Sequence, residues 1–460
     1  MESNIKKLED DVMVLLRWIA NVFIIILIII FLLNYLYDFD SNYIFVGSLT
    51  FIAILLMLPS AKGLSFLFPV AMIVVGITVL LFTGEPIEEW LPLFSNNMTL
   101  IILILFVPVL ALPLGIGKYN IEIEKILIKL SSKPGFLYSG ITTTLFILGS
   151  IINLGSLSVI HAVTDNNGFP KGFLGRAYTR GFTSAIICSP FFASVFLIIN
   201  TLDIPVGKFI MYSFSLGVLQ LLISNMWFNV KEKRNITFSV IETPVERVRR
   251  GKVIALLFIL SILIIIILIS ERIIPGNMSI MITVIVCIYS LVWSLFIRKA
   301  GEFFRRLYSY LSYIVPGKVN EVLLFLTAGF FSGAMIKTDL GGGMQGIFMK
   351  ISNVSVFLFI FTVIIVTSLL AFIGVHQIVT ITFFLASINV VEIGISNLVF
   401  ALTLTCSWSL STLLSPITAV NLISSTLLHT KVTHLIKWNY QFAIILICTY
   451  SIVIYGFHLL

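Results

Sequence analysis

Ser184-Ala-Ile-Ile-Cys-Ser-Pro-Phe-Phe-Ala-Ser-Val-Phe-Leu197 in the first half of the chain has a counterpart in the second, Ser409-Leu-Ser-Thr-Leu-Leu-Ser-Pro-Ile-Thr-Ala-Val-Asn-Leu422. Aligning Ser189-Pro190 with Ser415-Pro416 also brings Ala193 onto Ala419. Both stretches lie in long apolar segments, where a proline removes a helical N–H and clashes with the preceding turn. Paired interruptions in the two halves of an apolar chain point to a binding site near the middle of a membrane.

The 460 residues are 59% hydrophobic and only 11% charged, with a mean hydropathy of +1.10. A soluble domain of this size needs a charged shell, so most of this surface must face lipid. Apolar runs of roughly 18 residues or more recur along the chain, and the short alternating segments of transmembrane strands do not. The expected fold class is all-α and polytopic. The net charge of +8 collects in a few loops, as the positive-inside rule requires, and is no footprint for nucleic acid. Val12–Tyr37 is too long for a signal-peptide core and reads as a retained span. Cys188, Cys287, Cys406 and Cys448 sit in apolar runs without metal-ligand spacing and read as small buried thiols.

Lys and Arg in short loops set the sidedness. Residues 1–42 form an extra N-terminal span that starts in the cytoplasm. The first repeat then covers 43–230, with an amphipathic helix from Lys118 to Lys133 at the cytoplasmic interface. Phe136 to Val163 is too long for one span, and a single crossing would put Lys171, Arg176 and Arg180 outside. Gly149, Ser150, Asn153, Gly155 and Ser156 at its middle favour a turn. We read 136–163 as a re-entrant hairpin and 181–200 as a broken helix. A basic cytoplasmic linker, 231–252, leads to the second repeat, 253–460. There the glycine-rich Gly341–Gly346 is expected as an external loop. A second hairpin covers 354–387, broken at Ile373–Gln377, and a second broken helix covers 395–428. The C-terminus falls outside. The plan is two inverted repeats in a multi-pass cell-membrane protein, each with a re-entrant helical hairpin and a broken transmembrane helix.

Breaking a helix deep in a bilayer frees backbone groups that lipid cannot satisfy. Freed N-termini attract anions, and freed carbonyls with nearby hydroxyls hold dehydrated cations. The first candidate cluster is Ser150, Asn153, Gly155 and Ser156 at the hairpin tip, facing Ser184 and Ser189. The second is Gly374, His376 and Gln377, facing Ser409, Ser411, Thr412 and Ser415, with Thr418 and Asn421 beyond. Any one Ser or Thr can equally bond the carbonyl a turn back. His376 has three readings: an anion ligand, a titrating group, or a donor to a carbonyl. No Asp or Glu lies near the middle of an expected span, which argues against a carboxylate-based sodium–proton exchanger. Phosphate-loop, zinc-protease and nucleophile-elbow motifs are missing.

This pattern resembles the ion transporter superfamily, which includes the divalent-anion/sodium symporters and the citrate and arsenite carriers. The resemblance lies in the plan of the chain. The Ser-Asn-Thr tripeptides of the divalent-anion symporters are replaced here by Asn153-Leu-Gly-Ser156 and Gly374-Val-His-Gln377 at the tips, and by Ser189-Pro190 and Ser415-Pro416 at the breaks. It implies a homodimer with a moving transport domain and a scaffold. The expected function is secondary active transport, with symport of a small, carboxylate-bearing anion and sodium or protons as coupling ion. No cofactor, no enzymatic activity and no partner beyond solute, membrane lipid and a second copy are expected. The rivals are a membrane-embedded lipid or glycan transferase, an ion channel, and an accessory membrane subunit.

Overall fold

The computed structural model describes all residues except 1, 38–42, 62, 166–167, 236–247, 275, 314–316 and 338–339. The expected acidic loop at 38–42, Lys62, Asp339 and most of the basic linker therefore lie outside the described residues. The described chain is helical throughout, with no strand. Twelve of its helical segments are long and apolar enough to cross a membrane.

The chain opens with α1 (Glu2–Tyr37), α2 (Tyr43–Met57), α3 (Leu64–Thr83) and a short α4 (Trp90–Leu93). The expected span Met98–Ile116 is split into α5 (Met98–Phe106) and α6 (Ala111–Ile116) by a 3-10 turn containing Pro108, which has no N–H to continue the ladder. The amphipathic α7 (Tyr119–Leu130) buries Tyr119, Glu122, Ile123 and Leu127, one helical face. Then come α8 (Pro134–Ile152), α9 (Gly155–Thr164), α10 (Lys171–Cys188), α11 (Ala193–Thr201) and α12 (Val206–Trp227), the last running into a π-turn over Phe228–Glu232. The second half holds α13 (Arg250–Ile273), α14 (Met278–Phe296), α15 (Ala300–Ser312), α16 (Val319–Ile336), α17 (Leu340–Val354) and α18 (Val356–Phe372). It ends with α19 (Gln377–Ser387), α20 (Val390–Ile393), α21 (Asn397–Leu414), α22 (Ala419–Leu427) and α23 (Val432–Leu459).

Two expectations need correction. Gly341–Gly346 is not a loop but the first half of α17. Its helix is anchored further on, where Phe348 and Ser352 are buried one turn apart. Arg176 and Arg180 are not in a loop either. The broken helix begins at Lys171, ten residues before the expected start, and Arg180 is fully buried within it.

Those units each draw on both halves. One comprises 1–106, 304–347 and 378–388. In it α3 packs along α16, and the Asn97 side chain donates to the Phe325 carbonyl at 2.8 Å. The other comprises 107–303, 348–377 and 389–460. Within it α10 lies between α8 and α12, and α21 lies between α18 and α23. The most apolar window of α10–α11 is wholly buried and that of α21–α22 is 89% buried, against 22% for α13. The broken helices thus form the core of this unit. Gly181 makes the tight crossing of α8 and α10 feasible, since a Cβ there would sit 2.8 Å from the Thr142 Cα.

Candidate functional site

All four expected interruptions are present, at Asn153, Ser189, Gly374 and Ser415. The two Ser-Pro breaks have the same local construction. Ser189 and Ser415 leave their helices in extended conformation, with φ,ψ of −84°, 126° and −80°, 136°. Each serine Oγ accepts the N–H two residues on, from Phe191 at 3.1 Å and from Ile417 at 3.3 Å. The hydroxyl closes a small turn around the proline. Ser189 Oγ also donates to the Ser150 carbonyl, so the first hairpin and first break are joined as expected.

A proline also orphans the carbonyl four residues before it. In the second half this is Thr412. Its carbonyl accepts from Thr418 Oγ1 and from Asn421 Nδ2, both at 3.0 Å. Asn421 Nδ2 reaches the Ser415 carbonyl as well, at 2.8 Å. In the first half the orphan is Ile186. The positions equivalent to Thr418 and Asn421 are Phe192 and Val195, which carry no donor, and no described side chain donates to the Ile186 carbonyl.

Because carbonyls can only accept, Asn421 must turn its NH2 toward them and its oxygen away. Asn421 Oδ1 and Gln377 Oε1 are both buried without a partner. Both residues converge on Thr412, since Gln377 Nε2 lies 3.5 Å from Thr412 Oγ1. Two bare amide oxygens therefore flank the second break, inside a chain where each should cost about 1–3 kcal/mol if left unmet.

The turns are also defined. Asn153 has φ 53°, a left-handed value, and its Oδ1 accepts the Leu154 N–H at 2.7 Å. Ser156 Oγ donates to the Asn153 carbonyl at 2.8 Å. Gly155 beyond it is exposed, and a Cβ there would meet nothing within 4 Å. Gly374, with φ 98°, terminates α18 in a Schellman turn closed by the Val375 N–H on the Leu370 carbonyl at 2.9 Å. His376 follows it, half-buried.

Other candidates fall elsewhere. Ser150 and Ser184 bond the carbonyls of Phe146 and Arg180 one turn back. Ser411 reaches across to the Thr367 carbonyl on α18 at 3.2 Å. Ser409 does not face Gly374. Its Oγ donates to the Thr183 carbonyl at 2.9 Å and lies 3.2 Å from Gln220 Oε1. Thr183 and Ser409 are 226 residues apart, the same offset as the two Ser-Pro pairs. The two broken helices therefore cross at equivalent residues, and Gln220, Thr183 and Tyr450 complete a buried network there.

Sequence reasoning missed the ion cluster on α10. Arg180 makes a bidentate pair with Glu232, at 3.0 and 2.8 Å, and also donates to Asn439 Oδ1 at 2.8 Å and the Trp438 carbonyl at 3.1 Å. Arg176 Nε lies 3.2 Å from the same carboxylate. A glutamate in a π-turn 52 residues beyond its arginine gives no periodic signal that would reveal the pair. Among the described residues no cluster of three or more His, Cys, Asp or Glu could hold a metal.

No family model matches this chain, and no curated protein does. In fold it is similar to the crystal structure of the Alcanivorax borkumensis YdaH transporter, described as having an unusual topology. The TM-score is 0.52 at 11% sequence identity, over 78% of this chain and 84% of that one. The chain thus shares its all-helical, multi-span fold with that protein.

Proposed function

We propose that this protein is a secondary active transporter of a small anionic, carboxylate-bearing solute, coupled to sodium or protons by alternating access. One observation carries the reading: each of two buried helices is interrupted by the same Ser-Pro turn, and the second interruption leaves buried acceptor oxygens unmet. Those oxygens are Gln377 Oε1 and Asn421 Oδ1. Unmet acceptors without a carboxylate suit a dehydrated cation held by neutral ligands, which favours sodium over a proton. The second half-helices, α11 and α22, begin at Phe192 and Thr418 without side-chain caps. Their first N–H groups and partial positive charge suit an anion. The accessible Asn153 tip supplies an amide beside the first break.

The test is uptake into proteoliposomes across a panel of carboxylates and oxyanions, with imposed sodium and proton gradients. Saturable uptake that depends on sodium is expected, and gradient-independent flux for every solute would end the proposal. Asn153→Gly keeps the left-handed turn while deleting the amide. It should reduce uptake at least tenfold with thermal stability unchanged. Asn153→Ala should also lose about 1–2 kcal/mol of stability, because L-residues resist that backbone region.

A further inference from the structure

A second site lies away from the breaks. Lys171 at the start of α10, Ser425 and Thr426 on α22, and His429, Lys431, His434 and Trp438 around the start of α23 enclose an open cavity of about 680 Å³. Among the described residues no carboxylate lines it. Two lysines and two histidines face one space, with a tryptophan as its floor. Behind that floor the charge is also positive. Arg176 stands 5.9 Å over the Trp438 ring, and Arg176 and Arg180 share the single carboxylate of Glu232. The excess guanidinium charge is left for something outside the cluster.

The cavity is built rather than incidental. Lys171 Nζ donates to the His429 carbonyl at 2.9 Å, tying α10 to the end of α22. His434 Nδ1 lies 3.1 Å from Thr430 Oγ1, which fixes its ring. His429 occupies the left-handed position of a Schellman turn, at φ 45°, closed by the Thr430 N–H on the Ser425 carbonyl at 2.9 Å. Glycine is the usual residue there, so the imidazole is kept at a conformational cost.

Its place decides what fills it. α23 has 28 residues, and Trp438 lies about 9 Å along the axis from its start, at 1.5 Å per residue. That is the depth of an interfacial aromatic in a spanning helix. On α22, the face that carries Ser425 and Thr426 also carries Leu422, which is apolar and about half exposed. A basic pocket between membrane helices, with an apolar surface alongside, matches an anionic headgroup above and acyl chains below. We infer that this cavity binds the phosphodiester headgroup of an anionic phospholipid, on the side that the charge rule assigns to the cytoplasm.

The test uses the full-length protein in detergent, with phosphatidylglycerol or phosphatidylcholine added and binding read by native mass spectrometry. Phosphatidylglycerol should be retained at least tenfold more than phosphatidylcholine. His429→Gly with Lys431→Gln should lower its retention at least fivefold at an unchanged melting temperature. His429→Gly alone suits the turn and keeps the test usable if the double variant fails to fold. Equal retention of the two lipids, or unchanged retention in the variants, overturns the inference. Displacement of the lipid by equimolar inorganic phosphate also overturns it, in favour of a soluble-anion site. Since the readout is binding, the result does not depend on the transport reading.

Discussion

Arg180 is the residue whose environment departs furthest from what its type predicts. It is fully buried, yet its guanidinium is satisfied by Glu232, Asn439 and the Trp438 carbonyl, with the Phe442 ring 4.5 Å away. Removing one partner of such a pair leaves the other charged and dry, at about 3–5 kcal/mol, whereas replacing both by apolar groups is often neutral. Glu232→Gln should therefore lower the melting temperature strongly, and Arg180→Met with Glu232→Leu should recover most of it. A melting temperature for Glu232→Gln within a degree of the wild type would refute the account. None of this was legible in the sequence. Arg176 and Arg180 read as loop residues because the positive-inside rule counts charges without seeing their partners. Thr183 was missed as well, although sliding the Ser-Pro alignment six residues back would have paired it with Ser409.

Among the elements, the breaks were legible because proline and glycine act through the backbone, whatever the tertiary context. Asn153, Ser189, Gly374 and Ser415 all interrupt helices where expected. Helix starts were less legible. α10 extends back to Lys171 and α17 forms across three consecutive glycines, because packing outweighs local propensity. The amphipathic α7 was found from its periodicity, but not what holds it. Glu122 on α7 accepts the Arg249 N–H at 2.8 Å, just before α13. That N–H, with Lys125 and Lys252 adding to it, outweighs desolvation and holds the carboxyl below its ordinary 4.5. A lowered carboxyl contributes stability above its ordinary range, and this is lost as pH falls through the lowered value. A spin label introduced by Glu124→Cys should be less mobile at pH 5 than at pH 3. With Glu122→Gln it should be mobile at both, and equal mobility at both pH values in the wild type would refute the tether.

At the scale of the whole molecule, composition determined the class and apolar length marked the spans, so the all-helical polytopic plan was readable. The division into units was not. α18 and α19 are neighbours in sequence but belong to different units, and apolar length carries no information about which surface a helix will meet. The two halves also meet at equivalent residues, through Ser409 and the Thr183 carbonyl. Cutting the chain between Asn235 and Val248 should then leave two fragments that reassemble when coexpressed. Copurification of the untagged half with the tagged half is the expected result, and its failure with both fragments inserted would count against the pairing.

A contact between matching residues of the two halves has a historical meaning. Such a seam is what a duplicated and fused gene would leave if its product had already paired with itself about a two-fold axis, which brings a residue onto its own counterpart. The unequal finish of the two breaks, with Asn421 tying off one and a valine without a donor at the matching place in the other, then records how far the twins have diverged since one gene began to serve both.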